Sequence, residues 1–336
     1  MTKLQTSHFE KPLHVWVPEN YDAAKPHPTL FYYHGTSGQP TIEYLRLYTK
    51  GKDWVLIGMT YIEPGQYQFS AENLERDIKI LHEVRETVAQ SVNLDPKRIF
   101  VSGFSKGGWV TALILEKDPK VAGGMILGAG IFEPTTGAHP KKIYIGIGED
   151  DPNLAMSIAA KNAFSKNRAS EVTFEIWPGI GHKFPLLGIE PSSDSMKQWL
   201  RVQAGIANQS DAIDWMEDTL AETKKSPDLS AFEKLETIES MQASPYAALL
   251  DKEGKETLAD ALAEFRADPR TEREQEARAQ FKKILAYESK DRFVSTIAEC
   301  AAQYHKIAEA FPKTKYGRLA GKAVERISGI LKNTNK

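Results

Sequence analysis

Residues 103–108 read Gly-Phe-Ser-Lys-Gly-Gly, directly after Arg98-Ile99-Phe100-Val101-Ser102 and directly before Trp109-Val110-Thr111-Ala112-Leu113-Ile114-Leu115. The first flank has the β-branched and aromatic composition of a strand, and the second opens an apolar helical stretch, so a strand, a sharp turn and a helix are predicted here. A serine on such a turn takes a strained backbone conformation, and the glycines beside it are needed to avoid clashes while the hydroxyl is presented above the sheet. The helix N-terminus then directs amides at negative charge developing nearby. A bare Gly-x-Ser-x-Gly arises by chance in many chains; the strand and helix around this one make Ser105 a candidate nucleophile.

Outward from this turn, short β-rich runs alternate with helical ones as far as about residue 205, the pattern of a mostly parallel sheet covered by crossover helices. Strands are predicted over 29–33, 54–60, 98–102, 124–128, 142–148 and 172–177, with 14–17 as an added antiparallel edge strand. Leu74, Ile78, Leu81, Val84 and Val88 recur at three- and four-residue intervals, which predicts a helix with one stripe on the sheet and Ser70 as its N-cap. Further helices are expected after Gly107, over 154–167 and over 195–207, the last capped by Ser192, Ser193 or Asp194.

A serine hydroxyl needs a base to take its proton, and the base needs an acid that fixes its tautomer. The histidines downstream of Ser105 are His139, His182 and His305. His182 lies in a glycine-flanked turn, WPGIGHKF (177–184), just past a predicted strand. His139 precedes the strand over 142–148, at the wrong end of the sheet for chemistry, and His305 lies inside a helix near the C-terminus. His182 is therefore the predicted base. The acid is expected where the strand 142–148 ends, and Glu149, Asp150 and Asp151 follow one another there. Asp151 is preferred because Pro152 keeps it out of helical geometry, with Asp150 as the alternative. For an oxyanion, backbone donors are predicted at Lys106, the residue after the serine, and in the loop 34–38, at Thr36. The Lys106 side chain is expected in solvent or ion-paired, and His34 is expected to hydrogen-bond within its loop rather than act as a base.

Four segments, FYYHGTSG (31–38), NLDPKRIFVSGFSKGGWVTALIL (93–115), IYIGIGEDDPN (143–153) and WPGIGHKF (177–184), together resemble the α/β-hydrolase superfamily. Within it they look like the branch of polyhydroxybutyrate-depolymerase-like and feruloyl-esterase-like enzymes and predicted peptidases. The resemblance covers residues 13 to about 204. It implies an α/β-hydrolase fold and an acyl hydrolase working through an acyl-serine intermediate without a cofactor. By position, Ser105 matches the family nucleophile, His182 its histidine and Asp151 its acid, with Thr36 and Lys106 at the oxyanion-hole positions.

Beyond about residue 208 the β-branched runs vanish, and Glu, Lys, Ala and Arg surround apolar residues at helical spacing. Two domains are expected, a catalytic one over 1–207 and an all-helical one over 208–336. Trp215 and Leu220, Phe232 and Leu235, Leu258 and Leu262, Phe281 and Leu285, then Phe293, Ile297, Tyr304 and Ile307 mark successive amphipathic helices, with Pro227, Pro245, Pro269 and Pro312 in the breaks. The stretch 301–327 looks like one tetratricopeptide-type helix pair, short of the three or so repeats that a solenoid needs.

Composition narrows the partners. At 41% apolar and 26% charged residues the 336-residue chain is globular rather than disordered. Its 43 basic and 45 acidic side chains leave a formal charge of −2, so no global field concentrates nucleic acid or an anionic membrane, and a small, roughly neutral ligand is favoured. Cys300 is the single cysteine, which excludes an internal disulfide and a cysteine-rich metal site. The most apolar run, 121–132, is too short to span a bilayer and is interrupted by four glycines. The first ten residues lack the apolar stretch of a secretory signal. The likeness of the tail to periplasmic helix-pair proteins nonetheless tilts the expected location towards secreted or periplasmic, with the signal outside this chain.

No long insertion caps the core, so an open pocket is expected. Trp109, Tyr61, Tyr67, Phe69, Phe132 and Phe184 lie near strand ends, where they would either pack an aromatic or sugar-linked acyl group or belong to the core. Three functions stay open: a serine esterase acting on a small, carbohydrate-linked or feruloyl-type ester, a serine peptidase of the same chemistry, and a non-catalytic interaction protein that binds a partner through its helical tail. A peptidase would need a site for the leaving amine and usually a gating domain, and no propeller-like repeat is present, so the esterase leads. The complete serine, acid and histidine set argues against an idle core.

Overall fold

Strands covered on both faces bury residues of both parities, which is why the central runs are apolar throughout rather than alternating. The structure, a computed structural model that describes residues 2–9, 12–61, 71–131, 139–185, 194–290 and 294–334, realises this in an eight-stranded sheet. Its strands are β1 (Thr2–Leu4), β2 (Leu13–Trp16), β3 (His27–Tyr33), β4 (Val55–Met59), β5 (Leu94–Phe104), β6 (Gly123–Leu127), β7 (Lys142–Gly148) and β8 (Glu171–Trp177). They lie in the order β1-β2-β4-β3-β5-β6-β7-β8, antiparallel from β1 to β4 by way of β2 and parallel across the rest. This is the α/β-hydrolase fold.

Among the described residues five helices cover this sheet: α1 (Glu43–Thr49), α2 (Ala71–Ala89), α3 (Lys106–Lys117), α4 (Leu154–Phe164) and α5 (Asp194–Ala204). Phe31, Tyr33, Ile57, Val101, Ile143 and Ile145 form one core with Leu81 and Val84 of α2, Val110 and Ile114 of α3, and Phe164 of α4. Their neighbours in the strands, Leu30, Tyr32, Leu56, Phe100 and Tyr144, form the other with Leu45 and Tyr48 of α1 and Trp199 and Leu200 of α5. Each large apolar side chain so buried contributes on the order of 1.5–3 kcal/mol before the entropy cost of ordering it.

The strand order sets where chemistry can occur. From β3 the chain moves outward to β4, then returns past β3 to β5, so the loops after β3 and β5 leave adjacent strands in diverging directions. A crevice opens at such a switch point, at the carboxyl ends of the strands. Tyr33 pairs with Gly103 and Phe104 with Leu127, so β3, β5 and β6 end level there.

The chain divides into two compact units, Met1–Ile206 and Ala207–Lys336. In the second, α6 (Gln209–Lys225), α7 (Ala231–Gln242), α8 (Lys252–Arg266), α9 (Glu272–Glu288), α10 (Val294–Ala310) and α11 (Lys315–Thr334) follow one another. Capping is strong: Asn208 with Asp211 and Ser230 with Glu233 form reciprocal capping boxes at α6 and α7. Helix α9 packs on α10 and α11, where Phe281 meets Tyr304 at 5.1 Å and Tyr316 at 5.5 Å between ring centroids. Glu288 accepts a hydrogen bond from Tyr304 Oη at 3.0 Å and pairs with Arg326 at 2.7 Å. Cys300 is wholly buried in α10. No described helix is long and apolar enough to cross a membrane.

Several boundaries differ from the sequence expectations. The three-residue β1 and seven-residue α1 carry too little periodicity to be read. Strand β5 begins at Leu94 rather than 98, across a register shift between His27 and Thr29 of β3. Helix α4 ends at Phe164 rather than 167 and α5 at Ala204 rather than 207. Asp194 is the first helical residue of α5. Ser70, Ser192 and Ser193 lie outside the described residues.

Candidate active site

Ser105 sits between β5 and α3 with φ 55° and ψ −121°, outside the regions a non-glycine residue normally occupies. Such a conformation costs on the order of 1–3 kcal/mol and persists only where surrounding structure enforces it. Here the Ser105 N–H donates to Leu127 O at 2.9 Å and its carbonyl accepts from Trp109 N at 3.1 Å, which ties the turn to β6 and to the first turn of α3. The flanking glycines are needed for space. A Cβ on Gly103 would lie 2.3 Å from the Gly107 backbone, and one on Gly107 would lie 2.0 Å from Tyr33 O. Helix α3 thus approaches β3 and β5 more closely than any side chain permits.

The structure brings the three predicted residues together. His182 Nδ1 lies 2.7 Å from Asp151 Oδ2, and His182 Nε2 lies 2.8 Å from Ser105 Oγ. A carboxylate only accepts, so Nδ1–H donates to Asp151 and the Nε2 lone pair is left to accept from the Ser105 hydroxyl. The Asp151 side chain is 1% exposed and that of His182 35%, so the acid is shielded while the imidazole edge opens to solvent. The Asp151 hydrogen bond and charge raise the His182 pKa above its ordinary value, against a smaller opposing effect of burial.

Backbone pairing aligns the acid turn with the histidine loop beyond β7 and β8. Glu149 N–H donates to Trp177 O at 2.9 Å, Asp150 N–H to Ile180 O at 2.9 Å, and Gly179 N–H to Glu149 Oε2 at 3.2 Å. Past His182, Phe184 is held between Tyr44 at 4.8 Å and Tyr48 at 5.7 Å, and Tyr48 Oη donates to Pro185 O at 3.0 Å. Phe104 lies against the His182 ring at 5.1 Å and Phe184 at 6.0 Å. An aromatic wall therefore runs from the imidazole to the half-exposed Tyr44 on α1.

The loop after β3 is organised around His34, which is 3% exposed. Its Nδ1–H donates to Gly35 O at 2.6 Å, leaving Nε2 to accept from Thr60 Oγ1 at 2.9 Å. Burial lowers the His34 pKa, consistent with this neutral form. Gly35 O also accepts from Gly38 N at 3.0 Å, and Tyr61 Oη donates to His34 O. In a trans peptide the N–H points opposite to the C=O, so fixing Gly35 O towards His34 turns the Thr36 N–H to the other side of the loop. A Cβ on Gly35 would lie 3.5 Å from Ser105 Cβ, which places this loop beside the serine. Lys106 is the first residue of α3, where the helix supplies no acceptor for the backbone amide. Its half-buried side chain sets Nζ 5.3 Å from the Tyr61 ring centroid, and burial lowers its pKa.

The remaining candidates fall elsewhere. His139 precedes β7, at the amino ends of the parallel strands and away from the site, and His305 pairs with Glu309 on α10 at 3.3 Å. Tyr61 is buried in the core and Trp109 packs against it, while Tyr67, Phe69 and Phe132 lie outside the described residues. Phe104, Tyr44, Tyr48, Thr60 and Asn153 are site residues that the sequence reading misses. Only Phe104, beside the serine, carries a local signal. No group of three or more potential metal ligands is present among the described residues.

No family model matches the chain. Two curated fungal proteins, each named "Probable feruloyl esterase C", from Aspergillus oryzae and Aspergillus flavus, are 25% identical to it over 178 residues, covering 49% of this chain and 64% of each of theirs. The chain thus spans less than two thirds of the length of these relatives. Among solved structures, Arabidopsis thaliana SOBER1 is similar at 15% identity and a TM-score of 0.41, covering 53% of this chain and 99% of that one. Thermogutta terrifontis esterase 2, phosphonylated by cyclosarin, is similar at 16% identity and a TM-score of 0.45, covering 58% and 89%.

Proposed function

We propose that this protein is a serine ester hydrolase that cleaves carboxylic esters through an acyl-serine intermediate. The observation that carries the reading is the continuous hydrogen-bonded path from buried Asp151 through His182 to a serine held at positive φ. In this mechanism Ser105 Oγ attacks the ester carbonyl as its proton passes to His182 Nε2. The oxyanion so formed takes hydrogen bonds from the Lys106 and Thr36 amides. Collapse expels the alcohol, which leaves with the proton from His182, and the acyl group stays on Ser105. Water then repeats the attack with His182 as base, releasing the acid and restoring the serine.

For the substrate, a feruloyl-type or carbohydrate-linked ester is supported by the likeness to the two fungal proteins and by the aromatic wall of Phe104, Phe184 and Tyr44 beside His182. Aromatic faces stack on phenyl and sugar rings alike. The test is a panel of p-nitrophenyl esters, methyl ferulate and aminoacyl amides on purified protein. Esters are expected to turn over and the amides not; preferential cleavage of the amides would replace the esterase by a peptidase.

The acid assignment has its own test. His182 acts as a base only when neutral, and its pKa is raised, so turnover is expected to fall as pH drops through that raised value. Asp151→Asn removes the carboxylate whose hydrogen bond and, to a lesser extent, charge raise it, moving the midpoint to lower pH while the plateau falls by on the order of 10³- to 10⁴-fold. Asp150→Asn should leave the midpoint in place and cost far less. A pH–rate profile of both variants checks this, and a larger loss in Asp150→Asn would transfer the role.

A further inference from the structure

Asn153 occupies the N-cap of α4, where asparagine is among the best capping residues, yet its side chain makes no capping hydrogen bond. That end of the helix is held by backbone, with Ser157 N–H on Asn153 O at 2.9 Å. The side chain reaches away from the helix instead, and Nδ2 donates to Gly128 O at 3.1 Å. Meanwhile the Asn153 backbone N–H donates to Asp151 Oδ1 at 2.8 Å, fixing the oxygen that does not face His182. One residue therefore grips the acid with its main chain and the end of β6 with its side chain.

The far end of that grip adjoins the nucleophile. Gly128 follows Leu127, whose carbonyl accepts the Ser105 N–H. Gly128 itself stands at φ 58°, and a Cβ there would lie 2.6 Å from the Phe104 ring. Its N–H donates to Gly146 O at 2.9 Å, so the Leu127–Gly128 peptide, whose carbonyl accepts the Ser105 N–H, is anchored on β7 as well. A path of hydrogen bonds and short covalent links thus joins Asp151 to Ser105 by a route that bypasses His182.

We propose that Asn153 is a positioning residue for acyl transfer, its side-chain amide tying the Asp151 turn to the strand end that seats Ser105. His182 must satisfy both partners at hydrogen-bonding distance at once. Asp151 is carried by the turn after β7 and Ser105 by the end of β5, with β6 between them, and the Asn153 amide spans that interval. The inference rests on the serine-hydrolase reading above, and its failure is distinguishable from failure of that reading.

Two variants separate this role from simple capping. Asn153→Ser and Asn153→Asp both retain an N-cap acceptor. Serine is too short to reach Gly128 O, and aspartate, of the same size as asparagine, presents no donor to it. With a p-nitrophenyl ester, kcat is expected to fall roughly ten- to hundred-fold in each, with KM within about two-fold of wild type and the thermal midpoint little changed. The low-field proton NMR resonance of the His182–Asp151 hydrogen bond, assigned by its loss in His182→Ala, should shift or broaden in both. Should Asn153→Ser not fold, the isosteric Asn153→Asp carries the test. Wild-type kcat in a folded variant, where the wild-type protein is labelled by a fluorophosphonate, overturns the positioning role and leaves the hydrolase reading intact. A wild-type protein that neither reacts with the fluorophosphonate nor cleaves esters overturns both.

Discussion

Ser105→Ala is expected to abolish both ester turnover and fluorophosphonate labelling, with kcat falling on the order of 10⁶-fold. The hydroxyl is the only group removed, and with it goes the bond-forming nucleophile. What remains is the crevice, the amides proposed for the oxyanion and the imidazole, a set that still gives about 10³- to 10⁴-fold acceleration over water in such sites. The fold should not suffer. Alanine keeps the same Cβ, so the strain at φ 55° is unchanged, and the backbone hydrogen bonds to Leu127 and Trp109 do not involve Oγ. Intact-protein mass spectrometry gives a clear readout: one phosphonyl adduct on the wild type and none on the variant. An adduct that persists in Ser105→Ala would place the reactive nucleophile elsewhere and end the assignment.

The turn around Ser105 is legible in sequence because its glycines answer a local steric demand, and close packing between α3, β3 and β5 admits nothing larger at 103 and 107. His182 and Asp151 are legible for a related reason, since each follows a strand whose composition announces its end, and Pro152 marks the point where the acid leaves regular geometry. The supports of these residues are not legible. His34 meets Thr60 across 26 residues of chain, and Tyr48 meets Pro185 across 137, contacts that only the folded sheet creates. Asn153 is hidden in another way. On the backbone it is an ordinary helix cap. Only the observed direction of its side chain shows that the amide is committed to Gly128. Helix α1 escapes because seven residues give barely two turns, too few for a 3.6-residue period to stand out. The helical unit reads clearly because its prolines fall between α6 and α7, α7 and α8, α8 and α9, and α10 and α11.

His182→Ala should cost nearly as much turnover as loss of the serine itself, because members of such a set act as one unit and their individual losses do not add. Without the imidazole, Ser105 Oγ has no base to take its proton, and the leaving alcohol has no acid to protonate it. Stability should fall by on the order of 1–3 kcal/mol, since the ring itself is partly exposed but its loss leaves the buried Asp151 carboxylate short of one hydrogen-bond partner. The exposed edge makes a sharper experiment possible. Removing the ring opens a gap between the buried Asp151 carboxylate and Ser105 Oγ, and added imidazole can enter it from the crevice. There it would donate one N–H to Asp151 and offer its second nitrogen to the serine. Partial recovery of ester turnover that rises with imidazole concentration is therefore expected in His182→Ala and not in Ser105→Ala. A His182→Ala protein that keeps more than about a tenth of wild-type kcat would instead show that proton transfer runs through another group, since general acid–base catalysis alone is worth roughly 10²- to 10⁴-fold.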